Sequence, residues 1–145
     1  MTETSKMTRT GQFELCTDVV LLTADEPSQS ILLIRRKFEP YAGHWALPGG
    51  RLELTEDLAD GAARELGEET SITGVSLVQI GAFGKPGRDP RGRAISVAFL
   101  GKLPAAQKGL AKAADDAAEA QWHPLDALPP LAFDHADIIA AALKL

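Results

Sequence analysis

The 145-residue sequence predicts an α/β fold, a sandwich in which a mixed β-sheet carries helices on both faces. Three observations support this reading. Strand-like runs stand before, between and after two stretches of helical periodicity. The first helical stretch presents small alanines, as close packing on a sheet requires. The composition, 45% hydrophobic and 24% charged, is that of a globular chain rather than a disordered or fibrous one.

The opening MTETSKMTRTG is polar and lacks a hydrophobic segment of the signal-peptide kind. A flexible tail is expected over 1–11 and one folded unit over 12–145, a length suited to a single core. Leu15–Thr23 and Ile31–Arg36 are leucine-rich, β-branched runs separated by ADEPSQS, which reads as the turn of a hairpin. Cys16, within the first run, is the only cysteine. It excludes an internal disulfide, fits a reducing cytoplasmic setting and reads as a buried spacer rather than a nucleophile.

KFEPYAGHWALPGG, with its prolines and glycines, predicts an ordered loop ending in a short extended piece. Thr55 is the expected N-cap of a helix reaching Thr70 or Ser71, with Glu56 and Asp57 in the first turn and Leu58, Ala59, Ala62, Ala63 and Leu66 as its buried stripe. Val75–Phe83 and Ala94–Leu100 are strand-like and flank GKPGRDPRGR. AAQKGLAKAADDAAEA, residues 105–120, fits either a helix or a loop, and Ala120–His123 fits a short strand ending at Pro124. Asp134 can cap a final helix from His135 to the chain end, with Ile138, Ile139, Ala142 and Leu143 on one face.

A net charge of −5 disfavours nucleic acid as a partner, and no apolar run approaches the roughly 20 residues a bilayer demands. An anionic ligand would need a local source of positive charge, either a metal ion or an arginine cluster. The loop GKPGRDPRGR offers the second, with Lys85, Arg88, Arg91 and Arg93 against Asp89 alone. Arginine forks match phosphate oxygens bidentately.

On the first helix Glu65, Glu68 and Glu69 share one face, and like-charge neighbours there cost about 0.2–0.5 kcal/mol each. A solvated acidic face is one explanation. The other is a hard divalent cation, which takes carboxylates, waters and substrate phosphate oxygens and would remove the repulsion. Gly49-Gly50, just upstream, would let a backbone carbonyl approach the same ion or allow a turn closed to other residues.

Gly50, Glu56, Arg64-Glu65, Leu66, Glu68-Glu69 and Ile72, at their spacings, resemble the Nudix box, with Ser71 where the family carries Gly. The resemblance implies a Nudix-type α/β/α sandwich and metal-dependent hydrolysis of a nucleoside diphosphate linked to another moiety. It assigns metal binding to Gly49, Glu65, Glu68 and Glu69, with two or more Mg²⁺ or Mn²⁺ ions in the substrate complex, and an orienting ion pair to Glu56 and Arg64. Glu65 and Glu69 are the candidate bases for the attacking water. Asp115, Asp116 and Glu119, with Asp116 foremost, are either a further acidic ligand or a solvated loop.

RRKFEPYAGHWALPGG, PGRDPRGRAISVAF and LPPLAFDHADII resemble the branch holding ADP-ribose pyrophosphatases and ADP-ribose-sensing Nudix regulators. That implies ADP-ribose as substrate, giving AMP and ribose 5-phosphate. Arg35, Arg88 and Arg93 are then candidates for phosphate or ribose, and Tyr41, Trp45 and Phe83 for stacking the base. Phe133 and His135 read as structural, and none of His44, His123 and His135 has metal-ligand spacing to another. The alternatives are a nucleoside triphosphate pyrophosphohydrolase of the pool-sanitising type and a non-catalytic ADP-ribose sensor. The sensors in that branch add a DNA-binding segment after the Nudix domain, whereas this sequence shows no basic helical extension. The small-molecule nucleotide is the expected partner, with a homodimer possible by family analogy and neither nucleic acid nor membrane expected.

Overall fold

The computed structural model describes residues 11–113 and 117–145. Its strands are β1 (Glu14–Thr23), β2 (Ser30–Arg36), β3 (Trp45–Ala46), β4 (Gly49–Arg51), β5 (Val78–Phe83), β6 (Ala94–Leu103) and β7 (Ala117–Pro124). The helices are α1 (Leu58–Thr70) and α2 (His135–Ala142), with a 3₁₀ turn at Ala105–Leu110.

The seven strands form one mixed sheet of order β3-β2-β1-β6-β5, with β4 paired to β1 and β7 to β2. β1 and β6 run parallel from Glu14↔Ala94 to Thr23↔Leu103, and the other pairings are antiparallel. Along β1 successive side chains face opposite layers. Val19 and Leu21 join Ala62 and Leu66 of α1, while Val20 and Leu22 join Ile138, Ile139 and Ala142 of α2. The helices therefore cover opposite faces, giving the expected α/β/α sandwich. Because β1 is buried on both sides, its run of apolar residues is nearly continuous.

Several local expectations shift. α1 is capped by Asp57, not Thr55: Asp57 is extended at φ −77, ψ 162, and its carboxylate accepts the Leu58 N–H. Glu56 precedes this cap and so lies outside the first turn; its carboxylate accepts the Glu53 N–H and holds Arg64. The buried face of α1 is Gly61, Ala62, Leu66 and Thr70, whereas Ala59 and Ala63 are exposed. Ser71 ends the helix with φ 66 and ψ 8, the left-handed conformation that favours Gly. Its N–H still closes the cap on the Gly67 carbonyl.

β5 begins at Val78 rather than Val75, β6 continues to Leu103, and β7 is longer than the Ala120–His123 expected. The described part of 105–120 is neither one helix nor one loop: it holds the 3₁₀ turn, irregular backbone at 111–113 and, from Ala117, the start of β7. α2 stops at Ala142, and Leu143 is about half exposed (48%), so it leaves the apolar face. Cys16 is half-buried rather than buried, and burial beside Asp18 pushes its thiol up to about 11. It remains a neutral thiol near pH 7. Of the tail expected over 1–11, residues 1–10 lie outside the described residues.

Candidate active site

The acidic face of α1 is organised by one arginine. Arg64 grips Glu56 with two bonds, Nη2 to Oε1 at 2.6 Å and Nε to Oε2 at 2.9 Å. Its Nη1 donates to Glu65 at 2.9 Å and Glu68 at 3.2 Å, and Nη2 also reaches the Arg51 carbonyl at 3.1 Å. The planar five-donor fork makes this possible where a lysine ammonium would not serve. The Arg64 guanidinium, helped by the Glu53 N–H, holds the Glu56 carboxyl down at about 2. Arg64 thereby ties the loop before α1 to the helix and balances the charge of its carboxylates.

Opposite that face lies β4, antiparallel to β1 with Asp18↔Gly49 and Thr17↔Gly50 in register. A Cβ on Gly49 would collide with the Thr17 carbonyl and the Asp18 side chain, and one on Gly50 would lie 2.7 Å from the Glu65 carboxyl. Gly49 thus lets β4 lie tight against β1, and Gly50 leaves room for the Glu65 carboxyl beside the strand. The Gly49 N–H donates to Glu69 Oε1 at 2.7 Å. Burial nevertheless pushes the Glu69 carboxyl up to about 8; the Gly49 N–H works against the shift, while Glu65 and Asp18 add to it. Burial also raises Glu65, against the opposing pull of Arg64.

The floor of the cleft is a buried polar chain. The Ser96 hydroxyl donates to Asp18, and His135 Nε2 stands 3.7 Å from the other Asp18 oxygen. His135 Nδ1 accepts the Leu47 N–H at 3.0 Å, so a neutral ring carries its proton on Nε2, toward Asp18. Burial raises Asp18 and lowers His135, and both shifts favour the uncharged forms. Ser96, Asp18 and His135 thus connect β6, β1 and α2 to the segment that delivers Gly49.

Two guanidiniums form the facing wall. Arg36 and Arg91 lie 5.0 and 5.6 Å from the centre of the Phe133 ring. Arg91 also gives two fork nitrogens to Asp89, Nε at 3.1 Å and Nη2 at 2.9 Å. Burial, followed by the neighbouring Arg91 charge, lowers the Arg36 pKa. Arg36, Arg91, Glu69, Asp18 and His135 line a cavity of about 90 Å³. It shares Arg36, Gly49, Gly50, Glu69 and Arg91 with a wider cavity of about 370 Å³ that Glu65, Lys37 and Phe38 complete.

Of the side chains expected to meet a substrate, Arg88 borders the smaller cavity, while Arg35, Arg93, Tyr41, Trp45 and Phe83 line neither. Arg35 lies on the other side of β2 from Arg36, paired across the sheet with Glu119 at 3.0 Å. Arg88 is turned inward and gives both fork nitrogens to Asp134, at 3.0 and 2.7 Å. Arg93 stacks on Phe13 at 5.4 Å, with Nη1 buried and without a hydrogen-bond partner among the described residues. Tyr41 packs edge-on to Phe133 and His44, Trp45 edge-on to His123, and Phe83 against the α2 side of the core. Asp115 and Asp116 lie outside the described residues. Asp18 and Arg36 are not among the site candidates that the sequence supplies, and Arg91 shows there only as loop charge. For Arg36 the signal was its parity: alternation along β2 sends the second residue of the Arg pair to the face opposite the first.

Among the described residues, no three His, Cys, Asp or Glu side chains are already gathered tightly enough to hold a metal ion. Arg64 occupies oxygens of Glu65 and Glu68, and the Gly49 N–H occupies Glu69. The donors fit a hard divalent cation in kind: all are oxygens, and burial raises the proton affinity of Glu65 and Glu69, a cost that a bound cation would offset.

A mixed sheet between two helices, with a glycine strand facing an acidic helix, defines an α/β domain built to gather carboxylates beside arginines. The family model of the NUDIX domain matches residues 14–142, and the chain belongs to that family. It is 43% identical over 114 residues to an ADP-ribose pyrophosphatase of Methanocaldococcus jannaschii, an alignment covering 79% of this chain and 66% of that protein. It is 34% identical over 129 residues to the ADPR responsive transcriptional repressor NtrR of Acinetobacter baylyi, covering 86% of this chain and 51% of the repressor. The chain therefore spans about half to two thirds of these relatives. The NUDIX domain of Shewanella oneidensis NrtR, solved in complex with ADP ribose, superposes with a TM-score of 0.82 at 27% identity, covering 99% of this chain and 98% of that one.

Proposed function

We propose that this chain hydrolyses the diphosphate linkage of ADP-ribose, releasing AMP and ribose 5-phosphate, with Mg²⁺ or Mn²⁺ as cofactor. The observation that carries this reading is the cleft in which Glu65 and Glu69 face Arg36 and Arg91. One wall suits a cation and the other suits phosphate oxygens. The similarity to the archaeal pyrophosphatase adds the substrate.

Gly49, through its carbonyl, with Glu65, Glu68 and Glu69 would hold the cation, which when bound polarises phosphoryl oxygens and acidifies water. Arg36 and Arg91 orient the diphosphate by charge-assisted hydrogen bonds. Glu69, once a bound cation holds it ionised, would accept the proton of the attacking water at its carboxylate. Water oxygen joins one phosphorus, the bridging P–O bond breaks, and the leaving phosphate takes its electron pair. Arg64 keeps the helix carboxylates in place, and Glu56 keeps Arg64 in place. Arg88 belongs to the scaffold, because its side chain is nearly buried and Asp134 occupies its fork, whereas Arg91, although paired with Asp89, is half exposed.

A second reading, binding of ADP-ribose without hydrolysis, is favoured by the similarity to the Acinetobacter repressor. A substrate panel with product identification separates the readings. AMP and ribose 5-phosphate from ADP-ribose support hydrolysis. Tight ADP-ribose binding without products supports the sensor, and pyrophosphate from a nucleoside triphosphate with ADP-ribose untouched overturns both.

A further inference from the structure

The cleft has an arginine wall and an acidic wall, but a nucleotide also presents a flat base. Most aromatic rings here are already engaged. Tyr41 and Trp45 have edge-on aromatic neighbours, and Phe133 carries two guanidiniums. Phe38 differs: it is 62% exposed and belongs to the rim of the wider cavity that holds Glu65, Glu69, Arg36 and Arg91. An exposed phenylalanine has no water-side role of its own, and a ring at the mouth of a charged cleft offers a free π-face. Lys37 and Glu39 flank it and line the same rim, supplying a donor and an acceptor for the edge of a polar heterocycle.

We propose that Phe38 is the platform on which the planar base of the nucleotide stacks while its phosphates lie between the arginine wall and the acidic helix. This assignment rests on the nucleotide reading given above. It makes Phe38 a specificity-determining residue, since it rewards the base and is indifferent to the diphosphate.

The test uses the full chain with Mg²⁺ and compares AMP, which has a base, with inorganic pyrophosphate, which has none, by calorimetric titration. Phe38→Ala should weaken AMP binding about 10-fold and leave pyrophosphate unchanged, the size expected of one base–aromatic stack. Phe38→Trp should keep AMP affinity and show quenching of the new indole on AMP addition. Equal AMP affinity in wild type and Phe38→Ala overturns the proposal, as does a parallel loss of AMP and pyrophosphate. A change in sedimentation mass with AMP affinity intact assigns Phe38 to a protein contact and also overturns it. If wild type hydrolyses no nucleotide but Phe38→Ala still loses AMP selectively, the platform stands and the hydrolytic reading falls. If wild type turns over ADP-ribose and Phe38→Ala leaves KM unchanged, the reverse holds.

Discussion

Replacing Glu69 by Gln should remove a pH dependence from the stability of the metal-free protein. In the folded chain burial raises this carboxyl from 4.5 to about 8, so between those values the native state keeps a proton that the unfolded state has lost. Stability therefore falls as pH rises through the window, and the contribution is fully present only below about 4.5. At about 1.4 kcal/mol per unit, the full shift would amount to roughly 5 kcal/mol. Because the cleft admits water, about 2 kcal/mol is the working expectation, or about 6 °C in Tm for a domain of this size. Gln keeps the oxygen that accepts the Gly49 N–H and cannot ionise. In EDTA, melting curves from pH 5 to pH 9 should show wild type losing stability relative to Glu69→Gln. Parallel profiles would refute the claim that a buried, proton-retaining Glu69 faces β4.

Two further substitutions probe the scaffold. Arg88→Ala should cost about 3 kcal/mol in chemical denaturation, since it leaves Asp134 without its nearly buried partner, while KM for ADP-ribose changes little; unchanged stability with a raised KM would make Arg88 a substrate ligand instead. Ser71→Gly should raise stability by about 0.5–1 kcal/mol with kcat unchanged, because Ser71 holds a left-handed backbone at φ 66 and its hydroxyl makes only a 3.3 Å bond to the Lys112 carbonyl. A loss of stability would show that this hydroxyl matters more than the backbone.

Much of the architecture was legible because it is local. The apolar run of β1, the acidic periodicity of α1 and the helix start at His135 are patterns over a few residues, although the Asp134 carboxylate makes no capping bond because Arg88 holds it. The box spacing likewise located the acids and glycines that the fold brings face to face. What escaped depends on partners distant in sequence. Arg35 and Arg36 are equivalent in a string, but pairing with β7 gives the first to Glu119 and leaves the second to the cleft. Asp18 sits within an apolar run, and its link to Ser96 and His135 exists only because β1, β6 and α2 meet there. Arg88 resembled a phosphate fork until Asp134, on another element, filled it. Thr55 looked like the cap because Arg64, nine residues on, had not yet claimed Glu56.

The central claim is that the acidic helix and the arginine wall act on one diphosphate. Its most direct test is incubation of the full chain with ADP-ribose and Mg²⁺, with products separated by chromatography. The products should be equal amounts of AMP and ribose 5-phosphate, with none in EDTA and a rate lower by about 10²–10⁴-fold for Glu69→Gln. Turnover that persists in EDTA, or that Glu69→Gln leaves unchanged, would contradict it.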